Sequence, residues 1–408
     1  MGDVVAGRYK KGWAVIILLA LALFSGFLTG RAYAVEPAEE DIRSANAEKV
    51  EQELDALDLR EMEKYLDEIN REIADYVPQL ELRSLIGKIA RGEFKFGFTD
   101  ILTGLLKFLF HEIIANSKLL GELLVLTVIC AVLQNIESAF EQGTVGKVAW
   151  TVCYLTLFIL ALKSFGIALG IGREAISDMV SFMQATLPVL ITLLTAMGNL
   201  TSAALFHPLT VTVLSSISTL IKNIVFPLIF FSAVLGLTSN ISERFQVSKM
   251  SGLMKQWSMA LMGLFFTVFL GFLSVQGIAG SVADGVALRT AKFATGAFVP
   301  VLGKMFADAL DAVVGTSLLL KNVVGLVGII AIFFICIFPA LKILSIMLIF
   351  RVAAAISQPI SDTKLVESLN TMGNSLGLVF AAVSSVGIMF FFVIAIVLGT
   401  GNVSLMMR

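Results

Sequence analysis

The chain has 408 residues, of which 57% are hydrophobic and only 15% charged, and its mean hydropathy is +0.89. Soluble domains contain roughly 45–50% apolar residues, so this composition excludes an ordinary soluble globular protein. The three cysteines lie in apolar runs without the spacing of a metal site or a disulfide framework. The sequence therefore predicts an all-α, polytopic integral membrane protein. Neither a cofactor nor a nucleic-acid partner is expected.

The first 34 residues follow the three-part pattern of a secretory signal. Basic residues at positions 8, 10 and 11 precede an apolar run from Trp13 to Leu28, which is followed by Ala32-Tyr33-Ala34. We predict a signal peptide over residues 1–34. The alternative is an uncleaved first anchor, because the run is nearly long enough to span a bilayer. In both cases the chain after residue 34 begins on the extracytoplasmic side.

Residues 35–77 form a markedly polar region. Between Glu36 and Asp75 there are fifteen acidic and five basic residues, a net charge of −10. Apolar residues recur every three to five positions and predict one apolar stripe on an acidic, extracytoplasmic helical region. A solvated amphipathic helix and a docking site for a basic partner both fit this pattern. The stripe consists of Val50, Leu54, Leu57, Met62, Leu66, Ile69, Ile73 and Val77.

Eight apolar runs follow, several of them shorter than the ~20 residues that a full crossing needs. Between them lie amphipathic pieces at residues 101–115 and 289–311, which are too polar to face lipid on all sides. The runs are Ser117 to Leu133, Val148 to Leu162, Met179 to Met197, Ile224 to Leu237, Met259 to Ile278, Val323 to Leu341, Ile343 to Ile356 and Leu376 to Leu398.

The order of these pieces suggests an internal repeat. Pro78, Pro188 and Pro300 are 110 and 112 residues apart, and the last two both continue as Pro-Val-Leu. We predict three membrane units at residues 78–175, 176–285 and 286–408, each a broken or amphipathic hairpin followed by two stronger spans. Chance similarity between apolar runs is the alternative.

The stretch from Gln184 to Phe206 combines an apolar run with residues that break helices. Pro188, Gly198 and Asn199 predict a broken helix here, and Pro300 occupies the matching place in the third unit. Irregular backbone at membrane depth is tolerated only where it is buried in protein or faces water. These residues are therefore candidates either for lining a path or for letting helices pack closely.

Charged residues in and beside the apolar runs form a second set of candidates, because an ionisable group near the bilayer centre costs at least ~2.5 kcal/mol. Glu122 and Lys163 are candidate pore-lining or partner-contacting groups. For the basic residues of these runs, snorkelling to the interface is the alternative. Asp308 and Asp311 lie one helical turn apart on a shared face and are further candidate pore or packing residues.

An enzymatic site is not predicted. Gly373-Asn374-Ser375-Leu376-Gly377 matches a hydrolase nucleophile elbow by letter, but that motif needs a preceding strand and a later histidine. Both histidines, His111 and His207, come earlier in the chain. No catalytic, cofactor-binding or metal-binding residue is expected.

Four stretches together resemble one known family, stage III sporulation protein AE, over roughly residues 100–400. They are ATLPVLITLLTAMGNLTSAALFHP, NIVFPLIFFSAVLGLTSNISERF, SGLMKQWSMALMGLFFTVFLGFLSVQG and KFATGAFVPVLGKMFADALDAVVGTSLLLKN.

The resemblance implies a membrane subunit of a transenvelope channel or secretion complex that joins mother cell and forespore after engulfment. It implies a location in the mother-cell membrane that becomes the outer forespore membrane. Implied partners are other proteins of the same stage III operon, namely an ATPase, small membrane proteins and ring-forming proteins, and indirectly a forespore membrane protein. A homo-oligomer is a further expectation. The alternatives are a stand-alone transporter of small solutes and an assembly scaffold without a pore of its own.

Overall fold

The computed structural model describes residues 59–73, 76, 82–90, 97–139, 144–241, 247–298, 302–361 and 363–406. Within this part of the chain every regular element is a helix, so the predicted helical class is confirmed. The predicted signal peptide and the prolines Pro78 and Pro300 lie outside the described residues. The helices are α1 (Arg60–Ile73), α2 (Leu82–Ala90), α3 (Phe98–Ala115), α4 (Ser117–Ala139), α5 (Thr144–Ala196), α6 (Leu200–Leu220), α7 (Phe226–Ile241), α8 (Ser248–Phe298), α9 (Leu302–Ser357) and α10 (Thr363–Met406), and a π-helical turn at Ile221–Val225 joins α6 to α7.

Six helices in the described part of the chain are long and apolar enough to cross a membrane, which supports the polytopic prediction. The six apolar segments are Ser117–Asn135, Val148–Ala196, Leu200–Asn240, Ser248–Gln276, Val314–Ser357 and Thr363–Gly399.

Helix α1 is the described part of the predicted acidic amphipathic region. Its stripe residues Met62, Leu66 and Ile69 are buried, whereas its charged side chains are mostly exposed. Tyr65 packs edge-on against Phe182 of α5, with ring centroids 6.1 Å apart. The apolar stripe is therefore occupied by the chain's own helix α5.

Helices α5, α9 and α10 pack along one another and form the core of the bundle. A β-carbon placed on Gly172 of α5 would lie 3.1 Å from Val383 of α10, and one placed on Gly387 would lie 3.7 Å from Met179 Sδ. From the first of these contacts to the second, the residue numbers rise in both helices, so α5 and α10 run parallel. A β-carbon on Gly328 of α9 would lie 3.5 Å from Thr186, whereas Cys336 of α9 lies against Gly387, beside Met179. The residue numbers of α9 therefore fall as those of α5 and α10 rise, so α9 runs antiparallel to both.

The predicted division of α5 into two spans is wrong. Val148 to Leu162 and Met179 to Met197 belong to one helix of 53 residues, and Pro188 lies inside it without ending it. Proline removes one helical hydrogen bond and kinks a helix but does not have to terminate it. Pro188 is exposed, so its ring points away from the core that holds α5 together.

Helix α9 likewise joins two predicted runs, Val323 to Leu341 and Ile343 to Ile356, in 56 residues with Pro339 inside. The repeats stay a prediction, and the boundary between the first two units at residues 175 and 176 falls within α5.

Candidate helix-break and buried polar site

The chain breaks between α5 and α6 at Gly198 and Asn199, as predicted. Gly198 has φ 82°, the left-handed conformation that glycine adopts without a steric penalty. The amide of Gly198 donates to the carbonyl of Thr195 at 2.9 Å, and the amide of Asn199 donates to the carbonyl of Leu194 at 3.0 Å. This pair of bonds is the Schellman arrangement that closes a helix C-terminus. The Gly-Asn pair thus satisfies the last carbonyls of α5 while the chain turns into α6.

The side chain of Asn199 is the most unusual polar group at this break. It is fully buried, and neither its Oδ1 nor its Nδ2 has a hydrogen-bond partner among the described residues. It also makes no side-chain capping bond to α6. Buried polar groups are almost always hydrogen-bonded, to protein or to ordered water. This amide is therefore chemically suited to hold a water molecule or another polar group at the break.

Pro188 creates a second polar feature, about three turns before the break. Because proline has no N–H, the α-helical bond to the carbonyl of Gln184 cannot form. Thr192 Oγ1 donates to the carbonyl of Pro188 at 2.9 Å, and Gln184, Pro188 and Thr192 are all exposed. On this face the last three turns of α5 therefore present polar groups.

Lys321 of α9 is fully buried inside the bundle. Its Nζ donates to the carbonyl oxygen of Leu398 in α10 at 2.8 Å. Ser317, one turn before it, is also buried. The sequence analysis missed this contact, because nothing near Lys321 in the sequence indicates that α10 covers it.

The structure places Glu122 and Lys163 on exposed helix surfaces. Glu122 lies 3.9 Å from Lys118, one turn earlier on α4, and an exposed pair of this kind contributes little stability. Asp308 and Asp311 lie on α9, where the side chains of that segment are outside the described residues. A pore or partner role for these four residues stays a prediction.

Two polar contacts were missed by the sequence analysis. Tyr154 Oη donates to the carbonyl of Leu237 at 2.9 Å and lies 2.7 Å from Ser368 Oγ, which also accepts from Asn240 Nδ2 at 2.9 Å. The available signal was a tyrosine within an apolar run, because a buried tyrosine usually finds a partner for its hydroxyl. The second contact is a hydrogen bond from Arg351 Nη2 to Asn374 Oδ1, at 3.0 Å.

Replacing Gly198 by alanine is expected to destabilise the protein by ~1–2 kcal/mol, because a β-carbon is penalised at positive φ. The measurement is thermal unfolding of the detergent-purified chain. Gly170→Ala is the matched control, because Gly170 is helical and a β-carbon there meets nothing within 4 Å. It should be neutral or slightly stabilising. Equal unfolding temperatures for the two variants would contradict the assignment of the break to Gly198.

Comparison with known proteins decides the family. A family model described as stage III sporulation protein AE matches residues 80–401. The chain belongs to the stage III sporulation protein AE family. A similar protein, stage III sporulation protein AE of Bacillus subtilis (strain 168), is 39% identical over 403 residues, which are 98% of this chain and 100% of the relative. No solved structure matches the chain.

Membership confirms the resemblance and identifies a non-enzymatic sporulation membrane protein. Within the described residues no group of three or more histidine, cysteine or acidic side chains could hold a metal ion.

Proposed function

We propose that this protein is a membrane subunit of a sporulation-specific channel complex that connects mother cell and forespore. It would reside in the mother-cell membrane that becomes the outer forespore membrane and would support forespore development after engulfment. The observation that carries the proposal is the 39% identity to the Bacillus subtilis relative over essentially both whole chains. Such coverage leaves no large segment of the relative without a counterpart here.

The membrane bundle has features that suit a channel subunit. The broken connection at Gly198 and Asn199 places a buried amide without a described partner in the core of the bundle. The π-helical turn at Ile221–Val225 carries Lys222, whose Nζ donates to Ser177 Oγ of α5 at 3.0 Å. Irregular backbone and buried polar groups in membrane proteins concentrate where a path or a moving element is built.

The proposed partners are the other proteins of the same operon: an ATPase, small membrane proteins and ring-forming proteins, the last meeting a forespore protein. Helix α1 supports an extracytoplasmic contact of this kind. Its apolar stripe packs on α5, so the face left for a partner is the charged one, with Glu61, Asp67 and Glu68 exposed. A basic surface on a ring-forming protein would complement that face.

The proposal is tested by deleting the gene in the organism that encodes this chain. The deletion should leave engulfment intact and stop late forespore transcription, with loss of heat-resistant spores, and expression of the chain in the mother cell should restore both. Expression restricted to the forespore is the matched control and should restore neither. Normal forespore transcription in the deletion strain would contradict the proposal.

Measurements of solute flux distinguish the two alternative functions, a stand-alone transporter and a scaffold without a pore. A transporter should move a small solute when the chain alone is reconstituted into liposomes, and Lys163→Met or Glu122→Gln should abolish that flux. A scaffold should show no flux and tolerate both substitutions in the cell. Pro188→Ala with intact assembly but lost forespore transcription would favour a path along the broken helix.

A further inference from the structure

The long helices exceed the thickness of a bilayer. At 1.5 Å per residue, the 53 residues of α5 extend for about 80 Å, whereas the hydrocarbon core is about 30 Å thick. Helix α9, with 56 residues, and helix α8, with 51, are also much longer than the hydrocarbon core is thick. The hydrocarbon can therefore cover only part of the length of each of these helices, and the rest must lie outside it.

The charged helix α1 shows which half is excluded from lipid. Tyr65 packs on Phe182, so α1 lies beside the second half of α5. Its outer face exposes Arg60, Glu61, Lys64, Asp67, Glu68 and Arg71. A helix with six ionised side chains on its surface cannot face hydrocarbon, so the bilayer does not extend to the level of Phe182 on this side of the bundle.

The exposed face of α5 changes character along its length. In the first half, the exposed side chains include Val148, Val152, Leu155 and Ile159. At the middle, Arg173 and Glu174 are exposed. In the second half the exposed side chains include Gln184, Pro188, Thr192 and Thr195. The change from apolar to polar matches a helix that leaves lipid near Arg173.

Helix α4 supports the same assignment. Only four residues separate its end at Ala139 from the start of α5 at Thr144, so α4 lies beside the first half of α5. Its 23 residues extend for about 35 Å, one crossing of a bilayer. Val125, Val128, Ile129 and Val132 are exposed on it. A contiguous apolar surface of this kind is stable against lipid and costly against water.

We propose that the bilayer surrounds only the half of the bundle between Thr144 and about Gly172, and that the other half projects from the membrane on the extracytoplasmic side. Contacts with Gly172 place Phe226 and Val383 at the boundary. The projecting half then contains α6, the Gly198 and Asn199 break, Lys321 and the docked α1. The extracytoplasmic side is assigned because α1 comes soon after the predicted signal peptide, and the chain that follows a signal peptide begins on that side.

The half of the bundle that lies in the bilayer also contains charged side chains, and each of these charges needs a polar partner or a position at the interface. Arg351 is exposed but donates to Asn374, and Lys163 is exposed on α5. Long basic side chains place their charge at an interface or against protein while their stems cover apolar surface. On α6 and α8 the projecting half exposes the apolar residues Leu209 and Val275, and scattered apolar side chains are ordinary for a protein surface in water.

Lipid contact is measured directly by tryptophan quenching with brominated lipids. The full chain, with Trp13, Trp150 and Trp257 replaced by phenylalanine and one new tryptophan introduced, is reconstituted into vesicles of brominated lipid. Val152→Trp should be quenched several-fold more strongly than Thr192→Trp, although both native residues are exposed on α5. Equal quenching at the two positions would overturn the proposal, because it would place Thr192 in hydrocarbon.

The side is measured by cysteine labelling of protoplasts that express the chain with Cys130, Cys153 and Cys336 replaced by alanine. A membrane-impermeant maleimide added outside should label Thr192→Cys and Thr195→Cys, and should label Val128→Cys only after denaturation in SDS. Labelling of Thr192→Cys and Thr195→Cys only after the membrane is permeabilised would overturn the extracytoplasmic assignment.

Discussion

Replacing Gly387 by leucine is expected to leave little folded protein in the membrane. Gly387 lies where α10 crosses α9, and a β-carbon there would lie 2.9 Å from Cys336 Cβ and overlap Cys336 Sγ. A leucine must therefore push α9 and α10 apart, and these two helices share the most extensive contact of the bundle. Overpacking of a well-packed core costs about 1–3 kcal/mol and occasionally more, and we expect the upper end. Membrane abundance by immunoblot and thermal unfolding in detergent measure the effect.

Gly263→Leu is the matched control for this substitution. Gly263 lies in α8, is exposed, and a β-carbon there meets nothing within 4 Å. This variant should accumulate normally. A compensating pair, Gly387→Ala with Cys336→Gly, should restore part of the stability that Gly387→Ala alone loses. Wild-type abundance of Gly387→Leu would show that α9 and α10 do not pack as described.

The helical membrane class was predictable because it rests on composition and on uncharged apolar runs, which need no tertiary information. The break at Gly198 and Asn199 was predictable for a similar reason, since glycine before asparagine is a local C-terminal signal. The burial of Met62, Leu66 and Ile69 followed from their spacing on a helix.

Other features depend on contacts that are distant in sequence. Nothing near Lys321 indicates that the carbonyl of Leu398 accepts its Nζ hydrogen bond, and nothing near Tyr154 indicates Ser368. The continuity of α5 was also missed, because Pro188 is a local signal for an interrupted helix. Packing of α5 against α9 and α10 outweighs the local cost of this proline.

Replacing Asn199 by leucine is expected to reduce spore formation without lowering the thermal stability of the protein. The amide of Asn199 is fully buried, forms no hydrogen bond with described residues and does not cap α6. Removing a buried polar group without a partner avoids its desolvation cost, so thermal stability should hold or rise by about 1 kcal/mol. If the amide holds water or a passing polar group in a path, heat-resistant spores should fall towards the level of a strain without the gene.

Thr186→Val supplies the matched control for Asn199→Leu. Thr186 is also fully buried in α5, and its hydroxyl likewise has no partner among the described residues, but it lies within continuous helix rather than at the break. Its removal should likewise leave thermal stability equal or slightly higher, and it should leave spore formation unchanged. Loss of spores with Asn199→Leu alone would assign the polar requirement to the break. Normal spore formation with a stable Asn199→Leu protein would instead show that Gly198 and Asn199 serve only to turn the chain and let helices pack.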